Sequence, residues 1–505
     1  MPAREFPQML HNAAGVRELD RRAIEQAGIA GETLMIRAGE AAFRRLQEHW
    51  PDCQQPAIVC GGGNNGGDGY VVALLALRAG LQPQVYATLA PADLGGDART
   101  MADRALADGV PVIVLSQTRP DFSSHDLIVD GLLGTGLSGP VRAGQAVLID
   151  TINQSGLPVL ALDIPSGLSA DTGAEMGVAV QADVTVTFVG MKRGLLTGAG
   201  PALCGELYFE DLAVPEEIQQ SLPADCQRVL FEDLPTVLPR RRRDAHKGDH
   251  GHVLIVGGDH GYAGAVMLAA EAAARSGAGL TSVATRPAHV SALISRRPEI
   301  MVRGIEQADE LAPLLARASV VVCGPGLGQG EWGLALLRAV LASNLPLVLD
   351  ADALNLISRH QLQWGSTAVL TPHPGEAARL LDGSSADVQE DRFAAVRVLA
   401  GRYQSTVLLK GPGTLVAGPD TALALIDAGN PGMASGGMGD VLSGIIGALL
   451  AQGLTPFDAA RFGALVHALA ADRAVLHQGE RGLLATDLMP HVRRLLNGIS
   501  NGMEG

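Results

Sequence analysis

The amino-acid sequence predicts two α/β domains in tandem, each with a mainly parallel sheet, and three observations carry that expectation. The chain has 505 residues, more than one ordinary hydrophobic core serves. Short apolar, strand-like runs alternate with helix-length amphipathic stretches through both halves, the pattern of βαβ units. The alternation breaks near residues 210–245, where Pro215, Pro223, Pro235 and Pro239 interrupt any periodicity.

Composition narrows the function classes. With 47% hydrophobic and 18% charged residues the chain is a packed protein, not a disordered one. Aromatics are 3% and glycines number 63, so cores of Ala, Val, Leu and Ile with many tight turns are expected. The net charge of −15 repels nucleic acid and anionic membranes, so any phosphate must be held by local amides and a few cations. Five scattered cysteines without a Cys-x-x-Cys pair suit a reducing cytosol and buried thiols. No signal-peptide core opens the chain, and no apolar run approaches the ~18 residues of a membrane span. The expectation is a cytoplasmic homo-oligomer acting on small molecules, with no nucleic-acid or membrane partner.

Element by element, Leu19, Ile24, Leu34, Ile36, Phe43 and Leu46 recur at helical spacing within residues 16–50. Strand-like runs follow at 57–60, 83–88, 110–115, 127–129, 159–162 and 184–189, with a helix at 70–79. After the break, strands are predicted at 252–256, 280–284, 320–323, 347–349, 368–370 and 407–409, and an apolar helix at 441–450. Domains of 1–220 and 230–505 result, joined by a linker at 221–229. The run Arg240-Arg241-Arg242-Arg243 reads as a solvated face or a domain-contact patch.

In the N-terminal half, Cys60-Gly61-Gly62-Gly63-Asn64-Asn65-Gly66-Gly67-Asp68-Gly69 lies between a strand and a helix. Glycines there either serve chain reversal or let backbone amides at a helix start approach a phosphate. The spacing is neither a dinucleotide Gly-x-Gly-x-x-Gly nor a Walker loop. Two further loops end strands: 130–140, which includes Gly134-Thr135-Gly136-Leu137-Ser138-Gly139-Pro140, and Asp163-Ile164-Pro165-Ser166-Gly167. In an open parallel sheet such loops converge on one crevice. Asp130 and Asp163 are either caps or, with Asn65 and Ser166, hard oxygen ligands for a monovalent cation or a carboxylate for proton transfer.

Residues 63–69, 134–139 and 163–167 closely resemble the NAD(P)H-hydrate epimerase family, over roughly residues 10–215. The resemblance implies a Rossmann-like three-layer α/β/α domain. It implies that Asn64, Asn65, Gly66, Gly67 and Asp68, with Gly134 through Pro140, bind the hydrated dinucleotide. It also implies that Asn65, Asp130 and Ser166 hold K+ and that Asp163 faces the substrate; a carboxylate so placed is expected to manage the proton at the hydrated ring carbon.

In the C-terminal half, Asn430 through Asp440 precedes the apolar helix. Its ending, Gly437-Met438-Gly439-Asp440, combines glycine amides at a helix start with a carboxylate: an anion hole with a base, or else a capping Asp. Lys410-Gly411-Pro412-Gly413-Thr414 leaves a strand in a form able to grip a nucleotide's phosphates. Gly324-Pro325-Gly326-Leu327-Gly328 and Thr371-Pro372-His373-Pro374-Gly375-Glu376 are similarly placed. His373 is a structural hydrogen-bonder or a ligand contact; its flanking prolines pin its backbone. Asp350 and Asp352 either hold Mg2+ through water or cap the next helix.

These segments, with His246-Lys247-Gly248, Gly257-Gly258-Asp259 and Ala263-Gly264-Ala265, resemble the ribokinase-like superfamily and, within it, the NAD(P)H-hydrate dehydratases. The match runs over roughly residues 230–497 and implies a ribokinase-like α/β domain. It implies that Ala265, Gly326, His373 and Asp440 contact the hydrate, that Lys410 through Thr414 and Gly439 contact the adenine nucleotide, and that ADP with Mg2+ drives the reaction. The two resemblances together imply a bifunctional repair enzyme: an epimerase for R and S hydrates and an ADP-dependent dehydratase for the S form. Residues 437–440 alone also permit a vitamin or sugar kinase fused to a nucleotide-binding module. A non-enzymic scaffold with relic pockets predicts gaps in the constellation, but Lys410, Gly439 and Asp440 are all present.

Overall fold

Continuous runs of Val, Ile, Leu and Ala, buried on both faces of a strand, build the centre of each half. The computed structural model describes residues 6–115 and 119–498, in two units, Met1–Gln227 and Arg228–Gly505.

The first unit holds a parallel sheet in the order Val112–Val114, Gln84–Ala87, Pro56–Cys60, Leu127–Gly131, Val159–Leu162, Val184–Phe188, Glu206–Glu210. Side chains alternate across it. Ile58 and Cys60 pack with the helices Gly31–His49, Asn64–Arg78 and Gly96–Ala107. Ala57 and Val59 face Leu148, Ile149 and Ile152 of Ala143–Gln154. Three layers result. The strand order reverses between Pro56–Cys60 and Leu127–Gly131, so a crevice opens above their carboxyl ends.

Three local expectations change. The helical spacing of residues 16–50 resolves into Ala13–Glu25 and Gly31–His49, with Gly28 at φ +68° in the turn between them. Ile24 is 42% exposed, outside the core. The helix expected at 70–79 is Asn64–Arg78, so much of the supposed glycine loop is helical. Glycine is required there by packing: a Cβ on Gly66 would strike the Gly61 carbonyl, and one on Gly67 would lie 2.6 Å from Met35 Sδ and 2.9 Å from Ala98 Cα. Close approach to neighbours overrides the poor helix propensity of glycine. The stretch 221–229, read as a linker, contains the strand Cys226–Arg228, with Met9 and Leu10 antiparallel to Gln227 and Cys226.

In the second unit the sheet runs Leu423–Ile426, Thr414–Ala417, Thr406–Leu409, Ala368–Leu370, Leu347–Leu349, Val320–Cys323, His252–Val256, Leu280–Thr285, Met301–Gly304. The first three form an antiparallel meander and the rest pair in parallel. The order reverses between His252–Val256 and Val320–Cys323. Val253, Ile255, Val322 and Val348 pack beneath helices Ala263–Arg275, Met438–Ala451 and Pro456–Val475. The helix expected at 441–450 begins at Met438, which brings Gly439 and Asp440 into its first turn. All five cysteine side chains are buried. Among the described residues no helix is long and apolar enough to cross a membrane.

Candidate active sites

At the switch point of the first unit, a cavity of about 600 Å³ is lined by Asn64, Asn65, Asp68, Gly134, Thr135, Gly136, Leu137, Ser138, Pro140 and Asp163. Asp20 and Lys192 line it too, and sequence reasoning missed both. Gly66, Gly67 and Gly139 are not among the lining residues; the first two pack against neighbouring backbone and side chains.

Asp130, fully buried at the end of Leu127–Gly131, ties the two loops together. It accepts from the Ser166 amide at 2.8 Å, the Ser166 hydroxyl at 2.6 Å and the Leu132 amide at 3.1 Å. Burial pushes its carboxyl up, against these hydrogen bonds. Asn65 donates through Nδ2 to the Leu133 carbonyl at 3.0 Å, while its buried Oδ1 has no partner. One carboxylate, an orphaned amide oxygen and a hydroxyl fit a hard monovalent cation. Among the described residues no group of three or more His, Cys, Asp or Glu is arranged to hold a metal ion, so nothing there resembles a multi-carboxylate divalent site.

Asp163 follows Val159–Leu162 at φ +66°, in a tight turn closed by the Ile164 amide on the Leu162 carbonyl at 2.7 Å. The neighbouring strand ends the same way, with Val189 at φ +62° and the Gly190 amide on the Phe188 carbonyl at 2.7 Å. Positive φ at non-glycine residues is strained backbone, and such turns cluster at functional sites. Here the turn delivers the Asp163 carboxylate to Lys192, with which it forms an ion pair. Lys192, 1% exposed, also donates to Thr187 Oγ1 and the Phe188 carbonyl, each at 2.9 Å.

Three more carboxylates, those of Asp68, Asp20 and Asp97, share this cavity. Burial pushes Asp68 well above the usual carboxylate range, and the nearby charges of Asp163 and Asp20 add to that. Asp20, from helix Ala13–Glu25, is pushed up to about 6, chiefly by burial. Asp163, Asp68, Asp20 and Asp97 therefore share the cavity with one ammonium, Lys192, and with the guanidinium groups of Arg17 and Arg142.

In the second unit, Lys410 leaves Thr406–Leu409 with Nζ 2.9 Å from Asp350 Oδ1 and 3.8 Å from Glu376 Oε2. A Cβ on Gly439 would lie 3.5 Å from Lys410 Nζ and 3.6 Å from Asp350 Oδ2, so the glycine backbone faces this cluster. The next residue, Asp440, has its carboxyl pushed up to about 7, first by burial and then by Asp350, against the opposing charge of Lys410. Asp350 is thus a site residue. Asp352 instead accepts from the Gly328 amide at 2.9 Å and steadies that loop.

Lys410 through Gly413 form the turn of a hairpin whose second strand opens at Thr414. Arg392, fully buried, directs Nη2 at the Leu409 and Lys410 carbonyls at 3.4 and 3.3 Å. Sequence reasoning missed it, because an arginine on a helix reads as solvated. His373 caps helix Pro374–Leu381, its Nδ1 accepting from the Gly375 amide at 3.0 Å, and half of its side chain stays exposed. Ala265 and Gly326 adjoin, since a Cβ on Gly326 would be 2.6 Å from Tyr262 Cβ and 3.2 Å from Ala265 Cβ. Lysine scarcity was an available signal. The chain has only Lys192, Lys247 and Lys410, and two of these lie in the sites.

Fold and sites define the class: a Rossmann-like unit followed by a ribokinase-like one, each with charged residues gathered at strand ends. A solved ribokinase-like superfamily protein from Enterococcus faecalis matches the chain with a TM-score of 0.51 and 30% identity, covering 55% of this chain and 97% of that one. The family model described as NAD(P)H-hydrate dehydratase matches residues 253–494, and that of the YjeF-related protein N-terminus matches residues 31–194. The bifunctional NAD(P)H-hydrate repair enzyme Nnr of Coxiella burnetii is 50% identical over 492 residues, 97% of this chain and 99% of the relative. That of Escherichia coli is 45% identical, over 97% and 95%. The chain belongs to the family of bifunctional NAD(P)H-hydrate repair enzymes.

Proposed function

We propose that the N-terminal domain, residues 1–220, interconverts the R and S forms of hydrated NADH and NADPH, and that the C-terminal domain, residues 230–505, dehydrates the S form at the expense of ADP, giving AMP and phosphate. The observation that carries this reading is the cluster of Lys410, Asp350, Gly439 and Asp440 at a helix start. A carboxyl poised near pH 7 beside glycine amides is what phosphoryl transfer to a hydroxyl needs.

Asp440 takes the proton of the ring hydroxyl as that oxygen attacks the terminal phosphoryl group of ADP, and AMP departs. The glycine amides and Lys410 hold the phosphate oxygens. Phosphate then leaves, expelled by the ring nitrogen's electron pair, and loss of a ring proton restores the dihydronicotinamide. Asp350 and Glu376 offer the oxygen ligands of a Mg2+ ion, which when bound offsets phosphate charge. Gly411, Pro412, Gly413 and Thr414 line the nucleotide's path, with Ala265, Gly326 and His373 toward the hydrate.

In the N-terminal domain, Asn64 through Asp68 and Gly134 through Pro140 embrace the dinucleotide. Asn65, Asp130 and Ser166 hold K+, which when bound neutralises the buried Asp130 and steadies both loops. Asp163 manages the substrate proton. A cytoplasmic setting suits the five buried thiols.

The test mixes R and S hydrates with Mg2+ and ADP or ATP. The expected result is full recovery of the reduced cofactor's absorbance, limited to the S fraction when Asp163→Asn disables the first domain. A stable phosphorylated product with no reduced cofactor would point instead to a small-molecule kinase.

A further inference from the structure

The N-terminal cavity holds two carboxylates in opposite circumstances. Asp163 is ion-paired with Lys192, whose other donors are taken by Thr187 Oγ1 and the Phe188 carbonyl. Asp68 is 9% exposed, and no hydrogen bond or ion pair to its carboxylate exists among the described residues. Both line the same cavity, as does Asp20, whose carboxylate likewise lacks such a partner.

Lys192, the one ammonium in the cavity, pairs with Asp163; Arg17 and Arg142 also line the cavity, but no ion pair joins either of them to Asp68 or Asp20 among the described residues. An ionised, buried Asp68 without a donor would be costly, so it carries a proton. Around it stand Asp163 at the end of Val159–Leu162, Asp20 on Ala13–Glu25, Lys192 after Val184–Phe188, and the uncharged Cys60 thiol. Burial and the like charges of Asp163 and Asp20 raise its pKa, consistent with that state. Two groups in one cavity, one set to accept a proton and one set to give it, form an acid–base couple.

Resting on the epimerase reading, we propose that Asp68 is the general acid and Asp163 the general base of a ring-opening epimerisation, with Asp20 a positioning residue that keeps Asp68 protonated. Hydration of a dihydronicotinamide places the hydroxyl on the ring carbon beside nitrogen. Asp163 takes that hydroxyl's proton, the carbon–oxygen bond becomes a carbonyl, and the carbon–nitrogen bond breaks. Its electron pair stays on nitrogen, which receives the proton of Asp68. The freed aldehyde rotates about its bond to the ring carbon chain and presents its other face. Nitrogen then re-attacks, returning its proton to Asp68, while the alkoxide recovers the proton held by Asp163. Nothing is consumed, and the oxygen atom never leaves. Loss of hydroxide would instead need an acid at oxygen and no base there, which a lysine-paired carboxylate does not supply.

The test follows the full-length chain with R hydrate carrying ¹⁸O in its hydroxyl. The wild-type chain is expected to give S hydrate with the label retained; one label lost per epimerisation would overturn ring opening, independently of any variant. Asp68→Asn, isosteric and uncharged, should lower the epimerisation kcat by ~10²–10⁴-fold while hydrate still binds within a few fold. A kcat within threefold of wild type would overturn the acid assignment, as would a variant whose only loss is in binding. Asp20→Asn should lower the upper pKa of the epimerisation pH profile, and an unmoved profile would remove Asp20 from the couple. A wild-type chain that interconverts no hydrate would strike the epimerase reading itself, an outcome distinct from all of these.

Discussion

Replacing Asp440 by Asn should make the C-terminal unit more stable and far less active. Its carboxyl is raised from 3.8 to about 7 by burial and by Asp350. At roughly 1.36 kcal/mol per pH unit, that elevation corresponds to about 4 kcal/mol held against the folded state when the group is ionised. The sign follows from the folded value exceeding the unfolded one. Asp440 costs nothing below about pH 4, and stability is lost as the pH climbs through about 7. Asn never ionises, so the variant should match wild type near pH 4 and exceed it by up to about 4 kcal/mol at pH 8.5. Lys410 keeps Asp350 and Glu376 as partners, so no cation is orphaned by the change. The assay is urea denaturation of the full chain across pH, followed by the fluorescence of Trp332 and Trp364. In parallel, dehydration of S hydrate should fall by ~10²–10⁴-fold in the variant, while wild-type kcat/KM rises with pH to a plateau above about 7. Equal stabilities from pH 5 to 8.5, or an active variant, would refute the placement of Asp440 as a desolvated base.

Lys192→Met should destabilise the N-terminal unit by about 3–5 kcal/mol, because it strands the Asp163 carboxylate, and the added Asp163→Asn should restore much of the loss in denaturation curves. Epimerisation should run faster in K+ than in Li+, and Asn65→Ala or Ser166→Ala should flatten that difference in a salt-exchange series. Gly67→Ala, whose Cβ would meet Met35 Sδ at 2.6 Å and Ala98 Cα at 2.9 Å, should cost about 1–3 kcal/mol, read from the thermal midpoint.

Much of the fold was legible because parallel strands buried on both faces leave continuous apolar runs: Val159–Leu162, His252–Val256 and Val320–Cys323 fall where the pattern puts them. Strands without such a run were not. Glu206–Glu210 is amphipathic and Met301–Gly304 half exposed, and pairing to a neighbour rather than composition makes them strands. The helix at Asn64 was hidden by its glycines, since propensity argues against a helix that tertiary packing demands.

The sequence by itself determined two α/β units, the strand-end loops and the chemistry-bearing types in them: Asn65, Asp130, Asp163, Lys410, Gly439 and Asp440. Only the tertiary structure decided which charges meet. Lys192 faces Asp163 across a pair of strained turns, Asp20 arrives from a helix far back in the chain, and Arg392 lies beneath a distant hairpin. The physical reason is that backbone pattern is local, whereas proton state depends on burial and neighbouring charge, which the folded chain alone assembles.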